Sequence, residues 1–154
     1  MTRDTVSPDD GRWLAAAIDQ ARQGLAEGGV PIGAALVIDG ELVAAGRNRR
    51  VQLGSAIRHG ETDCLEQAGR LPASSYTRAT MYTTLSPCDM CTGAILLYGI
   101  PRVVMGENTT FTGAEDLLRA RGVELVNADC QQCKDLMAEF IRKYPEIWNE
   151  DIGK

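Results

Sequence analysis

Two short stretches of this 154-residue chain, His59-Gly60-Glu61 and Pro87-Cys88-Asp89-Met90-Cys91, contain the residue types that hold and use a zinc ion. One imidazole and two thiolates make three ligands. Structural zinc sites are closed by four protein ligands, whereas catalytic sites keep one position open for water. A water at that position is acidified from a pKa of 15.7 to roughly 7, so hydroxide becomes available at neutral pH. Glu61 is a carboxylate two residues from His59, beside a site already supplied with two sulfurs. It suits a proton carrier rather than a fourth ligand. His59 is the only histidine of the chain, so no other residue completes the pattern.

A second pair, Cys130-Gln131-Gln132-Cys133, keeps a structural alternative open, because with Cys88 and Cys91 it could form a closed four-cysteine cage. Against the cage, Cys133 falls on the apolar stripe of its helix, where a small thiol packs as core. Cys64, three residues past Glu61, reads as packing rather than chemistry.

Ligands need rigid supports, and the sequence supplies them. A helix is predicted from about His59 to Ala68, and another opens at Pro87-Cys88 and reaches Tyr98. A cysteine at a helix N-terminus has a lowered pKa, since free N–H groups and the helix dipole favour the thiolate. Cys88 and Cys91, at i and i+3, can then aim at one ion while His59 approaches from the other side. Ser7-Pro8 starts an earlier helix whose apolar residues, from Trp13 to Leu25, recur at helical spacing until Gly28-Gly29. Ile32–Ile38 and Leu42–Ala45 flank Asp39-Gly40, a hairpin signal. Strands follow at Thr80–Thr84, Arg102–Met105 and Val123–Val126, with helices at Ala114–Arg121 and along Cys133–Ile141. Tyr144-Pro145 breaks the last helix and leaves a short tail, Trp148–Ile152. The order α-β-β-α-β-α-β-α-β-α predicts an α/β fold: one sheet of about five strands with helices on both faces, in a single domain over 1–154.

Composition narrows the chemistry. With 16 Lys and Arg against 21 Asp and Glu, the net charge is −5. Gripping nucleic acid usually takes a basic face, and here the one dense basic cluster is Arg47, Arg49 and Arg50 with Arg58 nearby. The balance favours a small uncharged substrate over a polynucleotide. No stretch approaches the ~20 apolar residues that span a bilayer. Met1-Thr2-Arg3-Asp4 carries no apolar signal region, and five cysteines without a disulfide pattern fit a reducing cytoplasm.

The ordered pattern His-x-Glu…Pro-Cys-x-x-Cys is the signature of zinc-dependent nucleobase deaminases. Beyond it, the chain resembles the fungal-type cytosine deaminases of the cytidine deaminase-like superfamily from about Trp13 to Gly153. The likeness is carried by Gly28-Gly29-Val30-Pro31-Ile32-Gly33, His59-Gly60-Glu61, and the run Tyr82-Thr83-Thr84-Leu85-Ser86-Pro87-Cys88 continuing to Ile95. Tyr98-Gly99-Ile100-Pro101-Arg102, Gly106-Glu107-Asn108 and the tail Glu150-Asp151-Ile152-Gly153 complete it.

The resemblance implies a three-layer α/β/α sandwich around a mixed sheet, one zinc per subunit, a homodimer, and hydrolysis of cytosine to uracil and ammonia. It further implies that His59, Cys88 and Cys91 hold the metal and that Glu61 shuttles protons. Asn48 and Asp151 would bind the base, Gly60 and Leu85 would add backbone contacts, and Phe111 and Trp148 would wall and close the pocket. Read without the family, Asn48 is a turn residue, the two aromatics are core and Asp151 is a solvated terminal charge. The chain departs from the fungal pattern at Thr62-Asp63-Cys64, where Asp63 introduces a carboxylate within a helical turn of the metal. Asp63 could face solvent, face a dimer partner, or change the hydrogen bonds offered to the base. The last possibility keeps isocytosine, or another aminopyrimidine or purine, open as substrate. The alternative outside enzymology is a zinc-stapled interaction module.

Overall fold

The structure is a computed structural model that describes residues 6–154, so the reading of Met1-Thr2-Arg3-Asp4 lies outside the described residues. Helix α1 (Pro8–Ala26) begins on a reciprocal cap: the Asp10 N–H donates to Ser7 Oγ and the Ser7 N–H to the Asp10 carboxylate, each at 3.1 Å. Strands β1 (Gly33–Ile38) and β2 (Glu41–Arg47) turn at Asp39-Gly40, where both residues take positive φ, 52° and 76°. That conformation matches the twist of the paired strands.

Strands β3 (Ala79–Thr83), β4 (Arg102–Met105) and β5 (Glu124–Asn127) complete a five-stranded sheet in the order β2-β1-β3-β4-β5. Pairings are antiparallel on the β2-β1-β3 side and parallel on the β3-β4-β5 side. The sheet is thus mixed, as expected.

Side chains alternate across the strands. Ala34, Leu36 and Ile38 face a core shared with α3 (Gly60–Ala68) and α5 (Asp89–Tyr98), while Ala35 and Val37 face α1 and α7 (Gln131–Lys143). Leu118 of α6 (Glu115–Ala120) joins the first of these cores. Three layers result. A third apolar cluster sits at one end of the sheet, where Val30, Ile32, Leu85, Met137, Phe140 and Trp148 meet. The register brings the start of β1, the end of β2 and the end of β3 to that same end, since Gly33 pairs with Arg47 and Ala34 with Thr83.

Three helices depart from the sequence expectation. The four-residue helices α2 (Arg50–Leu53) and α4 (Ala73–Tyr76) are too short to show a helical period. The tail is a helix, α8 (Pro145–Asp151), because Pro145 both ends α7 and occupies the first turn of the next helix.

Candidate active site

The metal ligands come from two helix starts at that end of the sheet. His59 is the N-cap of α3 and Cys88 the N-cap of α5, both in extended backbone. His59 Nδ1 lies 3.3 Å from Cys88 Sγ and 3.7 Å from Cys91 Sγ, and the three ligand atoms fall within 4.8 Å of one another. Tetrahedral zinc with bonds of about 2.0–2.3 Å separates neighbouring ligand atoms by roughly 3.3–3.8 Å. The donor set and its spacing fit that ion. Among the described residues no other three His, Cys or acidic side chains converge so closely. The four-cysteine cage is not formed: Cys133 packs in the α1/α7 core beside Leu14 and Val104, with Cys130 against the same cluster. Cys64 is fully buried, with Sγ 3.5 Å from the Ala44 carbonyl, and burial pushes its thiol far up into an inert form.

Electrostatics prepare the ligands for a cation. A hydrogen bond with Cys91, opposed by burial and reinforced by His59, brings Cys88 down to about 4, while the Cys91 thiol is pushed well up by Cys88 and by burial. Burial works against protonating His59, but the Cys88 hydrogen bond and the charges of Asp151 and Glu61 outweigh it and raise the imidazole to about 9. Burial and the Cys88 thiolate, partly offset by His59, raise Glu61 to about 7. The imidazole and the two sulfurs thus form one hydrogen-bonded cluster beside a buried carboxyl group. His59 Nδ1, Cys88 Sγ and Cys91 Sγ would hold a cation, giving up the protons they carry without one.

The other imidazole nitrogen is spoken for. Nε2 lies 3.1 Å from the Asp151 carbonyl oxygen and 3.5 Å from Asp151 Oδ2. With Nδ1 facing the metal, Nε2 carries the proton and donates to that carbonyl, which fixes the ring. Asn48, fully buried, donates from Nδ2 to Asp151 Oδ1 at 2.8 Å and accepts the Arg50 N–H at 3.1 Å. Arg50 Nη1 also approaches Asp151 Oδ1 at 3.6 Å. Each of these polar groups has spare capacity, one amide hydrogen on Asn48 and lone pairs on both oxygens.

A small cavity opens beside the ligands. Glu61, Leu85, Phe111, Trp148 and Asp151 line it together with His59 and Cys88. Phe111 and Trp148 meet edge to face, with ring centroids 6.1 Å apart at 85°. Asn48 and Gly60 do not line it: Asn48 stands behind Asp151, and Gly60 packs in the first turn of α3 against Ile32 and Gly33. Sequence reasoning passed over Ile32, Ser86 and Ile152, which also form the wall, although each lies inside a stretch singled out for its resemblance. Ser86 shapes the wall from behind, since its hydroxyl donates to Glu115 at 2.6 Å and accepts the Gly113 N–H at 2.9 Å. Asp63 faces neither solvent nor the cavity; at 1 % exposure it is bonded to the arginines around Asn48.

A three-layer fold that brings a three-ligand His-Cys-Cys centre and a buried acid to a small cavity defines a zinc-dependent hydrolase of the deaminase class. The chain belongs to the family of the cytidine and deoxycytidylate deaminase zinc-binding region, whose family model matches residues 7–107. It is 56% identical to a cytosine deaminase of Candida albicans over 147 residues, covering 95% of this chain and 98% of that protein. It is 31% identical to a tRNA-specific adenosine deaminase of Streptococcus pyogenes, over 85% of this chain and 89% of the other. A solved structure from work on A-to-I editing by tRNA:A34 deaminases superposes with a TM-score of 0.69 at 26% identity, covering 82% of this chain and 99% of that one. A guanine deaminase from Nitrosomonas europaea shares the fold, with a TM-score of 0.67 at 23% identity over 88% of this chain and 87% of its own.

Proposed function

We propose that the chain hydrolyses free cytosine to uracil and ammonia, with His59, Cys88 and Cys91 holding zinc. The carrying observation is the convergence of those three ligand atoms beside one small, aromatic-walled cavity that His59, Cys88 and the buried Glu61 carboxyl line. Zinc, when bound, supplies hydroxide from water at neutral pH. Glu61 takes the proton released from the water and delivers it to N3 of the ring, which makes C4 electrophilic. A carbon–oxygen bond forms at C4. Glu61 then carries the second water proton to the exocyclic nitrogen, the C4–N4 bond breaks and ammonia leaves. Glu61 suits these transfers because it is a buried carboxyl group on the cavity wall beside His59 and Cys88. Asp151, on the cavity wall, accepts from the amino group that departs, and the Asn48 amide holds that carboxylate in place from behind. The backbone of Leu85 adds a polar contact, and Phe111 and Trp148 wall the ring and close over it.

Support for a free base over a polynucleotide comes from charge. Arg47 pairs with Glu27 at 2.8 Å, Arg49 and Arg58 with Asp63 at 2.7 and 3.2 Å, and Arg50 with Asp151 at 3.6 Å. The basic cluster is therefore largely neutralised from within. Cytosine is favoured by the 56% identity to a cytosine deaminase. A substrate panel followed by ammonia release tests this: cytosine is expected to turn over fastest. Faster release from isocytosine or guanine would reassign the substrate, and salt-dependent tRNA binding with inosine formation would replace the proposal.

The working unit is a homodimer in a reducing cytoplasm. In support, Ile57, Leu97 and Tyr98 are exposed along one groove beside α3 and α5, and all five cysteines are free thiols. Sedimentation equilibrium is expected to give twice the chain mass, and a monomer would remove the assembly.

A further inference from the structure

Asp63 has no part in the reaction as described, yet it is among the most buried carboxylates of the chain. Its Oδ2 accepts the Arg47 backbone N–H at 3.0 Å. Its Oδ1 takes the Arg49 guanidinium through Nε at 3.1 Å and Nη2 at 2.7 Å, and Arg58 Nε stands 3.2 Å away. These contacts bracket Asn48, gripping the residue before it by the backbone and the residue after it by the side chain. The Arg49 N–H donates to the Arg58 carbonyl at 2.9 Å, so the segment leading into α3 is tied to the same point.

The anchor is also stiff. A Cβ at Gly46 would stand 2.4 Å from the Cys64 backbone nitrogen, so the end of β2 lies directly on α3. The helix that presents His59 at its cap and Glu61 in its first turn thus carries, two residues on, the carboxylate that fixes the loop holding Asn48. Hydrogen bonds to a charged, buried acceptor are short and strong, and a group held from a rigid element is placed more accurately than one left to its loop.

We propose that Asp63 is a positioning residue: it sets the Asn48 amide in register with His59 and Glu61 and thereby governs how tightly the base is held. It acts through Asn48, whose amide holds the cavity-lining carboxylate of Asp151, and that role rests on the base binding proposed above. A neutral side chain at 63 leaves Arg49 and Arg58 without a buried counter-charge and frees the Arg47–Arg49 backbone. Metal and proton carrier stay in place.

The test uses the zinc-loaded protein with Asp63→Asn and Arg49→Met, each in the native and the Asn48→Ala background. Read out are kcat and KM for cytosine, the Kd of 2-pyrimidinone, zinc per chain, and hydrogen exchange of residues 46–50. Each single substitution is expected to raise KM and the probe Kd about tenfold while kcat stays within about threefold, with zinc unchanged. In the Asn48→Ala background the same substitutions are expected to shift the probe Kd by less than about twofold, because the route they act through is gone. A loss confined to kcat, or an equal loss of binding in both backgrounds, overturns the proposal. If Asp63→Asn does not fold, Arg49→Met alone carries the test. Faster exchange in the 46–50 segment is expected whichever base is the substrate. Unchanged exchange therefore counts against Asp63, whereas a native protein inert toward cytosine counts against the substrate.

Discussion

Gly113 sits where the loop bearing Phe111 crosses the Pro87-Cys88 segment, and replacing it with alanine tests whether that crossing sets the site. A Cβ there would stand 1.7 Å from the Pro87 carbonyl oxygen and 2.5 Å from its carbon, both backbone atoms. Real Cβ atoms essentially never come closer than 3.0 Å, so the two segments must part by about 1.3 Å. The Pro87 oxygen cannot yield freely, because it accepts the Ala114 N–H and the Thr92 hydroxyl, each at 3.3 Å. The displacement therefore passes to Cys88 or to Phe111, a metal ligand or a cavity wall. A misplacement of about 1 Å costs on the order of 10²-fold in rate. Gly113→Ala is accordingly expected to lower kcat/KM for cytosine by about 10²-fold. The assay is steady-state deamination with zinc per chain and thermal midpoint measured on the same samples. Gly11→Ala, in α1 with nothing within 4 Å of the added methyl, is the control and is expected to gain roughly 0.5–1 kcal/mol of stability with activity intact. A Gly113→Ala protein with native kcat/KM and full zinc would refute the reasoning.

Glu61→Gln is expected to keep zinc and fold but to lose at least about 10²–10⁴-fold in kcat, since the amide cannot carry a proton; substantial turnover in a metal-replete sample would remove Glu61 from the role. Zinc binding at pH 7 is expected to release about two protons, from His59, which lies near 9, and from Cys91, whereas Cys88 near 4 is already a thiolate. Affinity must then rise with pH between 6 and 8, and calorimetry in buffers of different ionisation enthalpy counts the protons; a value near zero contradicts the assignment. Asp10 accepts from Arg102 Nη1 and Nη2 and from the Tyr82 hydroxyl, at 2.7–2.8 Å, which holds its carboxyl far below the usual carboxylate range. Its contribution to stability is complete above about pH 4 and disappears as pH falls through the lowered folded value. Urea midpoints of the native protein should fall more steeply below that pH than those of Asp10→Asn, and parallel curves would count against it.

The metal centre was legible because its signal is local: residue type and spacing place His59, Cys88 and Cys91 at helix starts without any knowledge of the sheet. The strands were legible for the same reason, since alternation and the Asp39-Gly40 turn act within a few residues. What escaped depends on distance. The bond from His59 Nε2 to the Asp151 carbonyl spans 92 positions, and nothing near either residue announces it. Asp63 looked like a surface charge or a specificity residue because its partners, Arg47 and Arg49, reach it only after β2 is laid against α3. The tail was read only as a short segment after a break, because Pro145 ends one helix and begins another, and composition does not distinguish those roles.

His59 and Cys88 stand at the heads of two separate helices, α3 and α5, whose contact at this end of the sheet the ion would rivet. Because an ion bound only by the folded form stabilises that form by mass action, scarcity of the metal acts on the lifetime of the polypeptide as well as on its turnover. Cells deprived of zinc are expected to carry less of this protein rather than a reserve of idle copies, since the emptied form unfolds more often and is cleared by proteolysis.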